Sequence, residues 1–218
     1  MKAHSVAALV LAAGFSERMG DFKPLMMLGG MTVLERVIRL FQSVGIGRIH
    51  VVIGHRAAEL RPCIDRWGGR NVENADYAQG MFSSVAAGVS SLDERAGSFF
   101  VLPVDIPLVR PATLRCLMEA FSGGAAGICH PTFQGRRGHP PLIDRRFRSV
   151  IADWTEAGGL KALLDRFEAE AADVPVADEY ILQDMDGPDD HRRLCERLEG
   201  RGILSPTECR ALLLERLK

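Results

Sequence analysis

The chain has 218 residues, 47% apolar and 25% charged, which is enough for one large domain with a real core or two very small ones. Lys plus Arg is 27 and Asp plus Glu is 28, a formal net charge of -1. That balance excludes a global basic surface for nucleic acid, so an anionic ligand would have to be held by local charge. The five cysteines, Cys63, Cys116, Cys129, Cys195 and Cys209, are widely spaced with no C-x-x-C pair. They form neither a zinc-finger spacing nor a disulfide framework and read as reduced, mostly buried thiols of a cytoplasmic protein.

In chain order, the apolar run over residues 5–12 leads into Gly14, Ser16, Glu17 and Arg18 and reads as a buried parallel strand rather than a signal peptide. No other apolar run approaches the ~18 residues needed to cross a bilayer. Val33, Leu34, Val37, Ile38 and Phe41 fall at helical spacing within residues 32–43. A strand is expected over 49–53, and a helix over 57–67 that Pro62 would disturb or shorten. A short strand at 71–73, a helix over 79–91, a strand over 98–102 and a helix opening with Pro111 follow. Residues 126–131 and 141–143 are strand-like, 145–151 and 159–169 helical, 174–176 a strand, and 188–199 a helix.

Strands alternating with helices of this length predict a three-layer α/β/α Rossmann-like sandwich with a mostly parallel, mixed sheet. Right-handed crossovers place the strand C-termini along one edge, where ligands bind in such folds. The loops after Ala12, Ile53, Glu73 and Leu102 are therefore the ones expected to build a site. Residues 1–199 are expected to form the principal domain. Gly200-Arg201-Gly202 reads as a linker, and Ser205-Pro206-Thr207-Glu208 as a capping box opening an amphipathic helix over 211–217. That tail is either the lead-in to a second domain or a helix that docks on another surface.

The strongest local signal is Leu11-Ala12-Ala13-Gly14-Phe15-Ser16-Glu17-Arg18-Met19-Gly20-Asp21-Phe22-Lys23. Gly14 and Gly20 permit close backbone approach and positive φ, so amide N–H groups can face one anion, and Arg18 and Lys23 add fixed positive charge. A P-loop is excluded, because five residues separate Gly14 from Gly20 and Asp21 follows. A G-x-G-x-x-G dinucleotide fingerprint is also absent. Phosphate binding is the preferred reading, against a plain turn carrying surface cations.

This segment resembles the L-A-A-G-x-S-x-R-M-G-x-x-K signature of the MobA-like nucleotidyltransferases, and more narrowly their molybdenum cofactor cytidylyltransferase branch. Four further segments match in register: Asn74 to Val85 (N-x-x-Y-x-x-G-x-x-x-S), Leu102 to Pro107 (G-D-x-P), Gly135 to Pro140 (G-x-x-G-H-P) and Asp184 to Asp190 (D-x-D-T-P-E-D). Val104 and Gly187 replace the Gly and Thr often found in two of them. The resemblance implies that Leu11, Ala12, Ala13, Gly14, Ser16, Gly20, Gly80 and Ser84 surround the nucleotide, with Arg18 and Lys23 on its phosphates. It also implies that Asp105 and Asp186 hold Mg2+, an ion that prefers oxygen ligands and substrate phosphates. Asp184 is a weaker candidate for the same ion; the competing role is a helix cap for Asp105, and an acid at a helix N-terminus, favoured by the helix dipole, for Asp186 and Asp184.

His139, between Gly138 and two prolines, is a candidate contact for the acceptor or the ribose, or a turn histidine bonded to backbone. Arg137 and Arg136 would attract an anionic acceptor such as a pterin phosphate, or stand as solvated charges. His55 and Arg56 match a variable edge of the site. The implied reaction is in-line attack of an acceptor phosphate on the α-phosphorus of an NTP, CTP favoured by the Ala12-Ala13-Gly14 run, with pyrophosphate leaving. An acceptor phosphate already ionised at pH 7 needs no strong base, so positioning and charge neutralisation would carry catalysis. Transfer to a sugar or polyol phosphate, and a non-catalytic accessory module that delivers a modified cofactor or docks to a molybdoenzyme, are the alternatives. The sequence suggests no partner in a membrane or among nucleic acids.

Overall fold

The structure, a computed structural model, describes residues 5–124 and 126–199. The capping box and helix expected beyond residue 199 lie outside the described residues.

Strand β1 (Val6–Leu11) is buried along its whole length. Its side chains alternate between two cores, Val6, Ala8 and Val10 facing one and Ala7, Leu9 and Leu11 the other, as the two-residue period of a strand requires. A strand buried on both faces needs helices on both. Helices α1 (Val33–Gln42), α2 (Ala57–Arg66), α4 (Pro111–Ser122) and α7 (Pro188–Glu199) cover one face. Helices α3 (Met81–Ser90), α5 (Phe147–Ala152) and α6 (Gly159–Asp165) cover the other. Three layers result, as the alternating pattern predicts.

The remaining strands are β2 (Met27–Leu28) and β3 (Met31–Thr32), which form a separate hairpin, then β4 (Arg48–Ile53), β5 (Arg70–Glu73), β6 (Ser98–Pro103), β7 (Ile128–Phe133), β8 (Arg136–Arg137), β9 (Leu142–Asp144) and β10 (Ala171–Pro175). The main sheet has eight strands in the order β10-β7-β9-β6-β1-β4-β5, with β8 paired to β7. β1 pairs in parallel with β4 and β6, β4 with β5, and β7 with β10. β9 runs against both β6 and β7. The sheet is therefore mixed, and β1, β4, β5 and β6 end on one edge.

Several local expectations change. Pro62 lies inside α2 without ending it. The helix expected over 159–169 stops at Asp165, and a 3-10 turn over Glu168–Glu170 delivers the chain into β10 three residues earlier than expected. β10 is an edge strand whose bounds are set by pairing with β7, which local periodicity does not report. The four described cysteines are free, but only Cys129 is buried and Cys116 is exposed.

Candidate active site

The loop after β1 closes on itself. Ser16 adopts a left-handed φ of 61° and Gly20 one of 72°, conformations that turn the chain sharply and favour residues without bulk at Cβ. Ser16 Oγ accepts a hydrogen bond from Lys23 N (3.2 Å), and Met19 N donates to Ser16 O (3.1 Å). Ser16 therefore orients the lysine besides shaping the loop. Val104 N donates to Leu11 O and His55 N to Ala13 O, tying the loop to the ends of β6 and β4.

Lys23 is only 8% exposed. Its Nζ lies 3.2 Å from Asp105 Oδ2 and 3.0 Å from Asp186 Oδ1, while Arg18 meets Asp186 Oδ2 at 2.8 Å. Residues from three distant parts of the chain meet on one cation because each leaves the sheet at the same edge. Met185 N donates to Asp105 O (2.8 Å), which pins the segment before α7 against the end of β6. Asp105 is thus not the cap of α4: the N-terminus of that helix is held by Asp178, which accepts from Arg110 N (2.8 Å) and Thr113 Oγ1 (2.7 Å). Gly187 in place of Thr does not leave α7 open either, since Asp190 Oδ2 accepts from Asp186 N and Gly187 N (3.0 and 2.8 Å). These two bonds, together with the charges of Arg193 and Lys23, hold the Asp190 carboxyl below its usual range.

A cleft of about 350 Å3 opens above this cluster. Leu11, Ala12, Ala13, Gly14 and Ser16 form its loop wall, Gly80 and Ser84 its far wall at the start of α3, and Lys23 and Asp105 its polar end. Of the nucleotide and metal candidates, Arg18, Gly20 and Asp186 stand outside that lining, although Asp186 joins it through its ion pair to Lys23 and Arg18 through its ion pair to Asp186. Asn74 is 6% exposed and donates to Ser83 Oγ (2.8 Å) and Ser84 Oγ (3.0 Å), which fixes the far wall.

The structure adds residues that the motif reading passed over. Phe15, 43% exposed, packs on His55 and Tyr77 with ring centroids 5.2 Å away in each case. Phe15, Tyr77 and the exposed Met81 all line the cleft. An aromatic residue held out on a glycine-rich loop was the available signal for Phe15. Arg56 instead pairs with Glu59 (2.6 Å) and lies over the Phe22 ring.

Arg137 and His139 lie on the other side of Pro103. Both terminal nitrogens of Arg137 donate to Glu168 (2.7 and 2.6 Å) and its Nε donates to Asp173 (2.5 Å), so its charge is already spent. Arg136 is exposed. His139 N donates to Ile181 O, and Gly138 N donates to Pro131 O (both 2.9 Å). A Cβ on Gly138 would fall 2.4 Å from Ile181 O, so only glycine allows this close passage. Burial lowers the His139 pKa despite a backbone bond at Val101 and the nearby Asp105 and Asp184 charges.

Among the described residues no cluster of three or more His, Cys, Asp or Glu side chains could hold a metal. The two carboxylates that converge on Lys23 nonetheless offer hard oxygen donors around one cation position, and a Mg2+ ion with few protein ligands takes the rest from substrate phosphate and water. The residues present fit that ion.

A parallel-edge cleft, a glycine-rich loop and a lysine between two carboxylates define a nucleotidyltransferase-type α/β domain. The sequence profile of the MobA-like NTP transferase domain matches residues 8–174, and the chain belongs to that family. It is 41% identical over 129 residues to the bifunctional IPC transferase and DIPP synthase of Rubrobacter xylanophilus, a match covering 56% of this chain and 29% of that protein. It is 33% identical over 133 residues to the bifunctional protein GlmU of Corynebacterium aurimucosum, covering 56% of this chain and 26% of that one. The chain thus spans under a third of the length of these two relatives. With the molybdenum cofactor cytidylyltransferase of Escherichia coli K12 it shares 26% identity over 197 residues, 88% of this chain and 97% of that protein. The crystal structure of Rv0371c from Mycobacterium tuberculosis H37Rv superposes with a TM-score of 0.76 at 26% identity, covering 89% of this chain and all of that one. No described helix is long and apolar enough to cross a membrane.

Proposed function

We propose that the domain transfers a nucleoside monophosphate, CMP from CTP by preference, to the terminal phosphate of molybdopterin or its molybdenum-loaded form, with Mg2+ and release of pyrophosphate. The observation that carries this reading is the placement of Lys23 between Asp105 and Asp186 at the polar end of the cleft. The near-complete overlap with a molybdenum cofactor cytidylyltransferase supports the choice of acceptor.

The glycine-rich loop cradles the phosphates, and Lys23 neutralises charge that develops at the α-phosphorus. Arg18, largely exposed, closes over the same phosphates. Asp105 and Asp186 would hold Mg2+, which when bound supplies charge neutralisation and alignment of phosphate oxygens. The walls at Gly80 and Ser84 orient the nucleoside, so that the acceptor oxygen approaches in line.

A second reading, transfer to a sugar or polyol phosphate, is favoured by the higher identity, over 56% of the chain, to the Rubrobacter and GlmU proteins. Pyrophosphate release with each of the four NTPs, with molybdopterin and with a polyol phosphate, separates the two. The expected result is release that requires CTP and molybdopterin and collapses in Asp105→Ala and Lys23→Ala. Release with a polyol phosphate alone would move the assignment to the second reading. No release with any acceptor, despite NTP binding, would leave an accessory binding module.

A further inference from the structure

The turn after β4, Gly54-His55-Arg56, is built under constraint. Arg56 takes a left-handed φ of 52°, a conformation that is costly for a residue with a side chain and persists only where its surroundings impose it. A Cβ on Gly54 would fall 2.6 Å from Tyr77 Cγ and 2.7 Å from Tyr77 Cβ, so only glycine admits that ring against the turn. Strained residues of this kind cluster where geometry serves a function. Yet none of the three residues lines the cleft.

What the turn touches is the glycine-rich loop, at both of its ends. The His55 ring meets Phe15 near the start of the loop, with centroids 5.2 Å apart, and Phe22 at its end, edge to face at 5.9 Å. Both separations lie in the range where aromatic rings attract one another. His55 N donates to Ala13 O (3.1 Å), which joins the two backbones as well. Arg56 is held by Glu59 through two hydrogen bonds of 2.6 Å, and its guanidinium lies 4.5 Å from the centre of the Phe22 ring. Tyr77 packs on Phe15 in turn (5.2 Å).

The two anchored rings stand next to the two residues that shape the phosphate end of the site. Ser16 follows Phe15, Lys23 follows Phe22, and Lys23 N donates to Ser16 Oγ (3.2 Å). The loop between them contains glycine and is mostly exposed. Ordering such a loop on binding costs conformational entropy, and anchoring its ends beforehand reduces that cost. We infer that His55, backed by Arg56, is a positioning residue: its ring clamps both ends of the phosphate loop and so sets Lys23 and the loop amides in place before nucleotide arrives, without touching a reactant. The inference rests on the transferase reading for the reaction that the clamp serves. It also gives a reason for Phe15 to remain 43% exposed.

The test compares wild type with His55→Ala and with His55→Phe, which keeps an aromatic ring at that position. Trypsin under native conditions reports on the loop directly, because Arg18 lies within it and its side chain is 75% exposed. Arg95, exposed between α3 and β6, is the internal control. Cleavage after Arg18, located by mass spectrometry, is expected to rise about tenfold in His55→Ala with no change after Arg95, and to return toward the wild-type rate in His55→Phe. Pyrophosphate release at saturating CTP and acceptor is expected to fall about tenfold in His55→Ala, since more nucleotide does not put Lys23 back in place, and to recover in His55→Phe. Equal cleavage after Arg18 in wild type and His55→Ala would overturn the inference. So would an equal rise at both sites, which marks general loosening, unchanged turnover in His55→Ala, or no recovery in His55→Phe. If wild type releases no pyrophosphate with any acceptor, the transferase reading fails, and the cleavage pattern alone still decides the clamp.

Discussion

At the residue scale, the decisive feature is one ammonium shared by two carboxylates. Lys23 is almost fully buried and its two partners are about a quarter exposed, so their mutual attraction is screened less than that of a surface pair. In Lys23→Met the carboxylates of Asp105 and Asp186 lose the cation between them and repel one another. Pyrophosphate release is expected to fall about 100-fold or more. Mn2+ binding without nucleotide, followed by electron paramagnetic resonance, is expected to tighten about tenfold, since the metal no longer competes with the lysine. Weaker Mn2+ binding in that variant would show that the carboxylates do not converge on the metal. His50 gives a second expectation, on stability. It is 4% exposed and meets Ser91 Oγ through Nδ1 at 2.7 Å. Burial first, then the Arg70 and Arg48 charges, lower its pKa from 6.5 to about 4 against the pull of Asp93. Between those values the unfolded chain binds a proton that the native state refuses, so stability is full above 6.5 and falls as pH drops toward 4. The loss amounts to about 3 kcal/mol. Urea melts from pH 7 to pH 4 should show a smaller decline in His50→Gln than in wild type.

At the element scale, the helices are held in place by groups distant in sequence. Arg110, the N-cap residue of α4, makes no side-chain cap bond, and Asp178, 1% exposed, supplies the acceptor from 68 positions away. The same carboxylate accepts from Thr113 Oγ1 and, through its other oxygen, from Tyr180 N (3.2 Å). Asp178→Ala leaves these donors buried and unpaired, and should cost about 2–4 kcal/mol in urea denaturation. CTP affinity should hardly change, because Asp178 lies outside the cleft lining. Equal midpoints for wild type and variant would show that water replaces the carboxylate at no cost. The start of α4 was legible from Pro111, since a proline at the first helical position announces itself locally. Its cap was not, and Asp105, the nearer acid, carried that expectation. The same limit accounts for β10, whose bounds depend on pairing with β7 rather than on its own composition.

At the scale of the whole molecule, β1 is flanked by β4 and β6 and covered on both faces, whereas β5 and β10 lie at the edges. β10 has no fully buried residue. Amides of β1 and β6 should therefore exchange only on global unfolding, and those of β10 orders of magnitude faster, as native-state hydrogen exchange would show. Uniform protection across the sheet would contradict a central core. The layered architecture, the parallel edge and the glycine-rich loop were readable because they rest on short-range pattern: two-residue alternation in strands, 3.6-residue spacing in helices, and glycine and proline at turns. Lys23 and Asp105 were legible as members of motifs. Their meeting was not, since 82 positions separate them and 163 separate Lys23 from Asp186. Tertiary structure also decided that Arg137 faces Glu168 and Asp173 instead of a free anion, and that Phe15, His55 and Tyr77 form one aromatic rim. Charge pairing and desolvation act over a few ångströms of space, and the neighbours they depend on are brought together by topology. By itself the sequence determined the layers, the parallel edge of the sheet and the glycine-rich loop; the fold decided which charges remain available there.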